Sequence, residues 1–321
     1  MHTRICDILG IEHPIIAGGM MWFSTPEFAA AVSNAGALGV MTAARCSSKD
    51  ELIRDIRKAK ELTDKPFAVN ISILPELMKQ ERTRQFIEAV AQERVAAVET
   101  SGRDPGDLFK ILKDAGVKII HKVATVRHAL HAEKAGVDAV TVVGLECGGH
   151  PSMDDVGTMV LVPRAAESLK IPVIAGGGFA DSRGLIAALA LGAEGVCLGT
   201  RMLATTECSL HENFKNWIAS ASETETLLIQ RSIRNQARVR NNEGARKVLE
   251  MESQGATLED LMPYIAGSVL LESLRTGDLE HGTLPVGQAI GLIKEIKPVK
   301  QVIDEIMGGA AGVIERLNTL K

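Results

Sequence analysis

Four times along this chain, a stretch rich in alanine and leucine runs into a single glycine and then into a short apolar segment. The copies are residues 27–35, Gly36 and 38–41; 108–115, Gly116 and 118–120; 126–135, Gly136 and 139–143; and 182–191, Gly192 and 195–198. In each copy the residue four positions after the glycine is Val or Ile: Val40, Ile120, Val140 and Val196. Glycine closes a helix because the left-handed residue beyond the last turn is cheap only without a Cβ. A β-branched residue at a fixed distance beyond that stop marks a strand entering the core. Helices alternating with short strands in this way make parallel βαβ units.

Extending the pattern places eight strands near residues 14–18, 38–42, 67–73, 96–100, 118–122, 139–145, 172–175 and 195–198, with a clear amphipathic helix over 50–62. The predicted fold is α/β, a closed (β/α)8 TIM barrel with a helical insert after strand 8. The competing arrangement is a doubly wound open sheet, which would carry G-x-G-x-x-G after a strand. Residues 176–181 begin that pattern but place Asp181 where the third glycine belongs. The rhythm stops after strand 8. Residues 207–282 are therefore expected to form a helical insert or lid, with helices over 226–240 and 243–254, leaving 1–206 and 283–321 as the barrel. The last barrel helix is expected at 286–296, followed by a terminal helix from Val299.

Composition narrows the function classes. A hydrophobic share of 45% and a charged share of 24% over 321 residues suit a globular chain with a large core. Aromatics at 3%, a formal charge of −4 and no basic stripe argue against a nucleic-acid partner. Cys6, Cys46, Cys147, Cys197 and Cys208 are odd in number and lack paired spacing, which points to free thiols and a cytoplasmic location. Arg4, Asp7 and Glu12 fall where an export signal needs an apolar core. The longest apolar stretch, 185–198, is too short for a bilayer and contains Glu194, so no membrane partner is expected. Alanine-rich outer helices permit a homodimer.

In a barrel of this kind, function sits at the C-terminal ends of the strands. Glycines gather there: Gly18 and Gly19 after strand 1, Gly148 and Gly149 after strand 6, Gly176, Gly177 and Gly178 after strand 7, and Gly199 before Thr200 after strand 8. The last two loops suit a phosphate cup built from backbone N–H groups, although tight turns alone would read the same way. Lys122 ends strand 5 and points either into the mouth or to solvent. Asn70 is a strand amide that needs partners, which a ligand ring edge can supply. His150 is the candidate acid or base, because imidazole titrates near neutrality and Gly148, Gly149 and Pro151 fix its loop. Cys147 and His150 have metal-like spacing, yet no second cluster completes a site, so no metal is expected. His128 and His131 suit a solvated helix face. Arg231, Arg234, Arg238 and Arg240 recur at near-helical spacing, as one charged face that is solvated, paired or available to a nucleotide phosphate.

Taken together, these residues resemble the nitronate monooxygenase (2-nitropropane dioxygenase) family of FMN-dependent barrel enzymes, from His13-Pro14-Ile15 to Gly287-Gln288. The motifs that carry the resemblance are Gly18-Gly19-Met20, Phe67-Ala68-Val69-Asn70, His121-Lys122, Glu146-Cys147-Gly148-Gly149-His150-Pro151, residues 174–181, and Gly199-Thr200-Arg201. Residues 69–75, 100–105 and Asp154-Asp155 look most like the bacterial branch that includes NADH:quinone reductases. That branch often has Ala where this chain has Gly148. FMN-dependent enoyl-acyl carrier protein reductases share Glu146-x-Gly148-Gly149-His150. The resemblance implies FMN with its phosphate at Gly176–Gly178 and Gly199-Thr200, and its ring near Gly19, Met20, Asn70 and Lys122. Gly18, Glu146, Gly148, Gly149 and Leu198 complete the expected cofactor site, and His150 lies beside a small-molecule substrate. The implied activity is oxidation of alkyl nitronates with O2. The alternatives are NAD(P)H:quinone reduction or enoyl-thioester reduction, with NADH or NADPH as co-substrate. A protein that merely stored FMN would need neither Lys122 nor His150.

Overall fold

Gly36, Gly116, Gly136 and Gly192 all adopt φ between +76° and +92°, so each repeat closes its helix through the left-handed turn that its glycine permits. The computed structural model describes residues 1–73, 80–102, 106 and 108–320. Eight parallel strands follow in chain order: β1 (Ile15–Ala17), β2 (Leu38–Thr42), β3 (Phe67–Ile73), β4 (Ala97–Gly102), β5 (Lys118–Val123), β6 (Ala139–Val143), β7 (Val173–Gly176) and β8 (Gly195–Leu198). Each pairs with the next, and β8 returns to β1 with Cys197 opposite Ile16, closing the barrel. Helix α1 (Arg4–Leu9) precedes β1. Its Ile5 and Leu9 join Ile16, Leu38, Val40, Ala68, Ala97, Ile120, Ala139 and Ile174 in one buried cluster that fills the barrel interior.

Around the barrel run α2 (Pro26–Asn34), α3 (Lys49–Leu62), α4 (Gln80–Gln92), α5 (Leu108–Asp114), α6 (Val126–Ala135), α7 (Thr158–Ser168) and α8 (Ser182–Ala190). Their inner faces and the outer faces of the strands form the larger core, with Phe28, Leu52, Ile56, Ile87, Leu112 and Val162 fully buried. Both faces of the sheet are thus covered, which explains why β2 is buried at all five positions and cannot show alternation. None of the described helices is long and apolar enough to cross a membrane.

After β8 come the short α9 (Thr200–Leu203) and α10 (Glu212–Ser220). Two expectations fail beyond this point. Residues 226–240 are not a helix but an antiparallel hairpin of β9 (Thr226–Ile229) and β10 (Ala237–Arg240). The alternation Ala237-Arg238-Val239-Arg240 has period two, and that local pattern outweighs the near-helical spacing of the four arginines. Arg238 and Arg240 consequently share a strand face and are buried, while Arg231 and Arg234 lie in the connecting turn and are exposed. The insert continues with α11 (Glu243–Ser253), as expected, and then α12 (Leu258–Ile265) and α13 (Gly267–Thr276). Residues 286–296 likewise form no α-helix; they hold one short 3-10 helix, Gln288–Leu292, between Gly287 and Pro298. The outer place left open is taken by α14 (Val299–Asn318), which packs on α8 and α2.

Candidate active site

On the inner barrel face, side chains two residues apart along a strand point the same way. Ala68, Ala97 and Ile120 are therefore followed, one layer higher, by Asn70, Glu99 and Lys122 on three adjacent strands, with Asn70 in register with Glu99. Glu99 is fully buried and lies 2.8 Å from the Lys122 ammonium. Its other oxygen accepts from the Asn70 amide at 2.7 Å and from the Gly19 N–H at 3.1 Å. Burial disfavours the charged form of Lys122, but the attraction of Glu99 outweighs it and the Lys122 pKa is raised. Cys197 sits in the same layer, and burial pushes its thiol up to about 11.

The turn after β1 is seated on this layer. A Cβ at Gly18 would lie 2.7 Å from the Cys197 sulfur and 3.2 Å from Lys122 Nζ, and one at Gly19 would lie 2.6 Å from the Asn70 side chain. Glycine is required here by close approach rather than by φ. Two strands round the barrel, after β7, Gly177 and Gly178 have φ of +93° and +88°. The N–H groups of Gly177, Gly178 and Gly199 have no protein acceptor among the described residues. Three backbone donors at the mouth, in a place with no room for bulk at Gly177, fit a phosphate group.

Glu146 plays a part that its motif alone does not reveal. Its carboxylate accepts from the Thr158 N–H at 3.0 and 2.9 Å, capping the start of α7 in place of the side chain that Gly157 lacks. Thr158 Oγ1 lies 2.7 Å from the same carboxylate and 2.9 Å from the Gly177 carbonyl, so the loop after β6 is tied to the loop after β7. Gly148 is sterically fixed: an added Cβ would stand 2.7 Å from the Val286 carbonyl carbon and 2.8 Å from the Gly287 nitrogen. An alanine of the kind found in the quinone-reductase branch meets backbone here.

His150 is exposed at the mouth, and its Nδ1 lies 3.0 Å from the Gln236 carbonyl. A carbonyl only accepts, so Nδ1 carries the proton and Nε2 is the nitrogen left for chemistry. The insert hairpin fastens this loop further. Gly149 and Arg238 exchange two main-chain bonds of 3.0 and 2.6 Å, Arg238 Nε donates to the Leu145 carbonyl at 3.0 Å, and Gln236 Nε2 donates to the Ser152 carbonyl at 3.0 Å. Arg231 pairs with Asp155 at 2.9 Å.

These groups surround one cavity of about 1210 Å³. It brings together Gly18, Gly19, Met20, Asn70, Lys122, Glu146, Gly148, Gly149, His150, Gly176, Gly177, Gly178, Gly199 and Thr200. Leu198 is not in its lining; its carbonyl instead accepts from the Gly18 N–H at 3.1 Å. Cys147 lines the cavity with its thiol pushed up to about 12 by burial, which keeps it neutral. The insert adds an apolar wall of Ala237, Val239, Leu258, Met262, Ile265 and Leu270. Residues 74–75 and 103–105 of the quinone-reductase resemblance lie outside the described residues. Among the described residues, no group of three or more His, Cys, Asp or Glu could hold a metal ion. The sequence reading missed Glu99 and the hairpin contacts. The one available signal for Glu99 was a carboxylate directly after the apolar start of a strand, Ala97-Val98.

Residues 2–309 match the family described as nitronate monooxygenase. The chain belongs to that family. It is 33% identical to a probable nitronate monooxygenase of Staphylococcus saprophyticus, covering 92% of this chain and 94% of the relative. It is 30% identical to the (3aS,4S,5R,7aS)-5-hydroxy-7a-methyl-1-oxo-octahydro-1H-indene-4-carboxyl-CoA dehydrogenase of Rhodococcus jostii, covering 100% of this chain and 99% of that one. Among solved structures, FabK from Thermotoga maritima superposes with a TM-score of 0.89 at 41% identity, covering 99% of each chain. As a nitronate monooxygenase family member, the protein is an FMN-dependent oxidoreductase.

Proposed function

We propose that this enzyme binds FMN in the barrel mouth and reduces the carbon–carbon double bond of an enoyl thioester, with NADH or NADPH as electron donor. The observation that carries this reading is the size and lining of the cavity. At about 1210 Å³ it has room for a nucleotide cofactor and a substrate together, and the wall beyond the groups proposed to hold the cofactor is apolar. A nitronate needs little of that wall, whereas an acyl chain would bury apolar surface against it. The likeness to FabK, an enoyl-acyl carrier protein reductase, and to a dehydrogenase of a carboxyl-CoA supports the same substrate class.

FMN, when bound, supplies the transfer of hydride equivalents between nicotinamide and substrate. Gly177, Gly178 and Gly199 offer N–H groups to its phosphate, while Asn70 and Lys122 face its ring. The glycines at 18 and 19 keep the floor of the site flat. Saturating the double bond requires a proton at the carbon next to the one that accepts hydride. His150 would give that proton from Nε2 while Nδ1–H stays bonded to the Gln236 carbonyl.

A second reading is nitronate oxidation with O2. It is supported by the same hydrogen bond, because with Nδ1–H held by the Gln236 carbonyl a neutral imidazole presents an unprotonated Nε2 that can take a proton from a nitroalkane carbon to give the nitronate. Anaerobic addition of NADH or NADPH to the yellow protein separates the two. The thioester reading expects bleaching by one of the nucleotides and return of colour on adding an enoyl-CoA, faster with a longer acyl chain. No bleaching by either nucleotide, together with oxygen uptake on adding a nitronate, overturns it in favour of the second.

A further inference from the structure

Three groups that face the cavity, drawn from three separate segments, converge on one carboxylate. Gly19 N–H comes from the turn after β1, the Asn70 amide from β3 and the Lys122 ammonium from β5, and all three contact Glu99 on β4 at 2.7–3.1 Å. Glu99 is 0% exposed and does not line the cavity, while the Lys122 side chain is 21% exposed and does. A carboxylate can only accept, so the Asn70 NH2 turns to Glu99 and the amide oxygen is left for a ligand. The ammonium, too, is not a bare cation. It forms half of a pair with no net charge, and the low local dielectric makes that compensation strong.

We propose that Glu99 is a positioning residue that sets both the geometry and the net charge of the floor on which the FMN ring rests, and so holds down the reduction potential of the bound flavin. The inference rests on the reading that FMN binds beside Asn70 and Lys122. Reduction adds electrons to the ring and favours nearby positive charge. With Glu99 in place, the attraction of Lys122 for the reduced ring is largely cancelled. Removing the carboxylate's charge unmasks the lysine and stabilises the reduced form.

The test is potentiometric titration of the FMN-loaded protein, with visible absorbance recording occupancy. Glu99→Gln keeps the side-chain shape and removes the charge. It is expected to raise the two-electron potential by about 30 mV or more, a tenfold shift toward the reduced flavin. Because the lone lysine left by that variant can impair folding, Glu99→Gln combined with Lys122→Met is measured alongside it. The double variant again has no net charge in this layer and is expected to return to within about 10 mV of the unmodified protein, a third of the tenfold step. An unchanged potential in flavin-loaded Glu99→Gln, or a shift of about 30 mV or more in the double variant, overturns the proposal. Failure of the unmodified protein to bind FMN instead sinks the reading of the cofactor site, and the absorbance spectrum tells the two failures apart.

Discussion

The acid–base role proposed for His150 falls to one atom, because the Gln236 carbonyl holds Nδ1–H and leaves Nε2 at the cavity. His150→Ala is therefore expected to retain bound flavin, since no phosphate or ring contact is lost. Turnover should fall by roughly 10²-fold or more, typical of losing an acid–base group. Steady-state rates normalised to flavin absorbance check this, and unchanged rates with thioester, nitronate and quinone alike would remove His150 from the mechanism. His150 was legible in the sequence because its neighbours, two glycines and a proline, announce a fixed loop at a strand end. Glu99 was not. A single carboxylate in a strand that also holds Thr100 and Ser101 does not stand out, and Asn70 lies 29 residues away. Only barrel closure, which sets β3 and β5 on either side of β4, shows what it serves. Gly148 lies between these cases. Its departure from the quinone-reductase pattern could be seen, but its cause, the backbone at 286–287, is brought in by the far end of the chain.

Element boundaries show the same division between local and distant causes. Asp181 reads in the sequence as a spoiled glycine fingerprint, yet its carboxylate caps α8 by accepting from the Arg183 and Gly184 N–H groups at 2.9 and 3.1 Å. Burial disfavours its charged form, but the bonds to Arg183 and Gly184 outweigh that, and its pKa lies below the ordinary aspartate value. Asp181→Ala should cost about 1 kcal/mol of stability, as for other lost caps. A depressed carboxylate contributes fully above its unfolded pKa of about 3.9 and loses that contribution as pH falls through its folded value. Denaturant titrations should thus show the deficit at pH 7 and a smaller one near pH 3, each against the unmodified protein; an equal deficit at both would assign it to packing. The eight strands and the four closing glycines were legible because each is fixed by its own neighbours. The hairpin was not legible from the near-helical spacing of the four arginines; the alternation of Ala237 and Val239 with Arg238 and Arg240 carries the period that matters.

At the scale of the whole molecule, the barrel supplies a floor and a glycine rim, and the insert supplies a wall. The groups proposed to hold FMN all lie on the barrel, so FMN binding is expected to stabilise the barrel. Binding to the folded state alone stabilises by about 2.7 kcal/mol when free ligand is a hundredfold above its dissociation constant. Thermal melts are accordingly expected to show one transition that moves upward with added FMN and does not respond to riboflavin, which lacks the phosphate. Equal shifts with both would dismiss the glycine rim as the anchor. The closed barrel could be inferred from the repeat, and the insert from the place where the repeat ends. How the two join could not, since the joining bonds run between segments far apart in the chain, as Gly149 and Arg238 are. That attachment has an evolutionary corollary. The two main-chain bonds between Gly149 and Arg238 are indifferent to the side chain at 238, but those from Arg238 to Leu145 and from Gln236 to Ser152 are not, so substitution can drift through the rest of the hairpin while these two positions are held. Length is another matter: loss of a single residue from the β9–β10 turn slides the ladder by one step, turning the apolar lining outward and two guanidinium groups into the chamber.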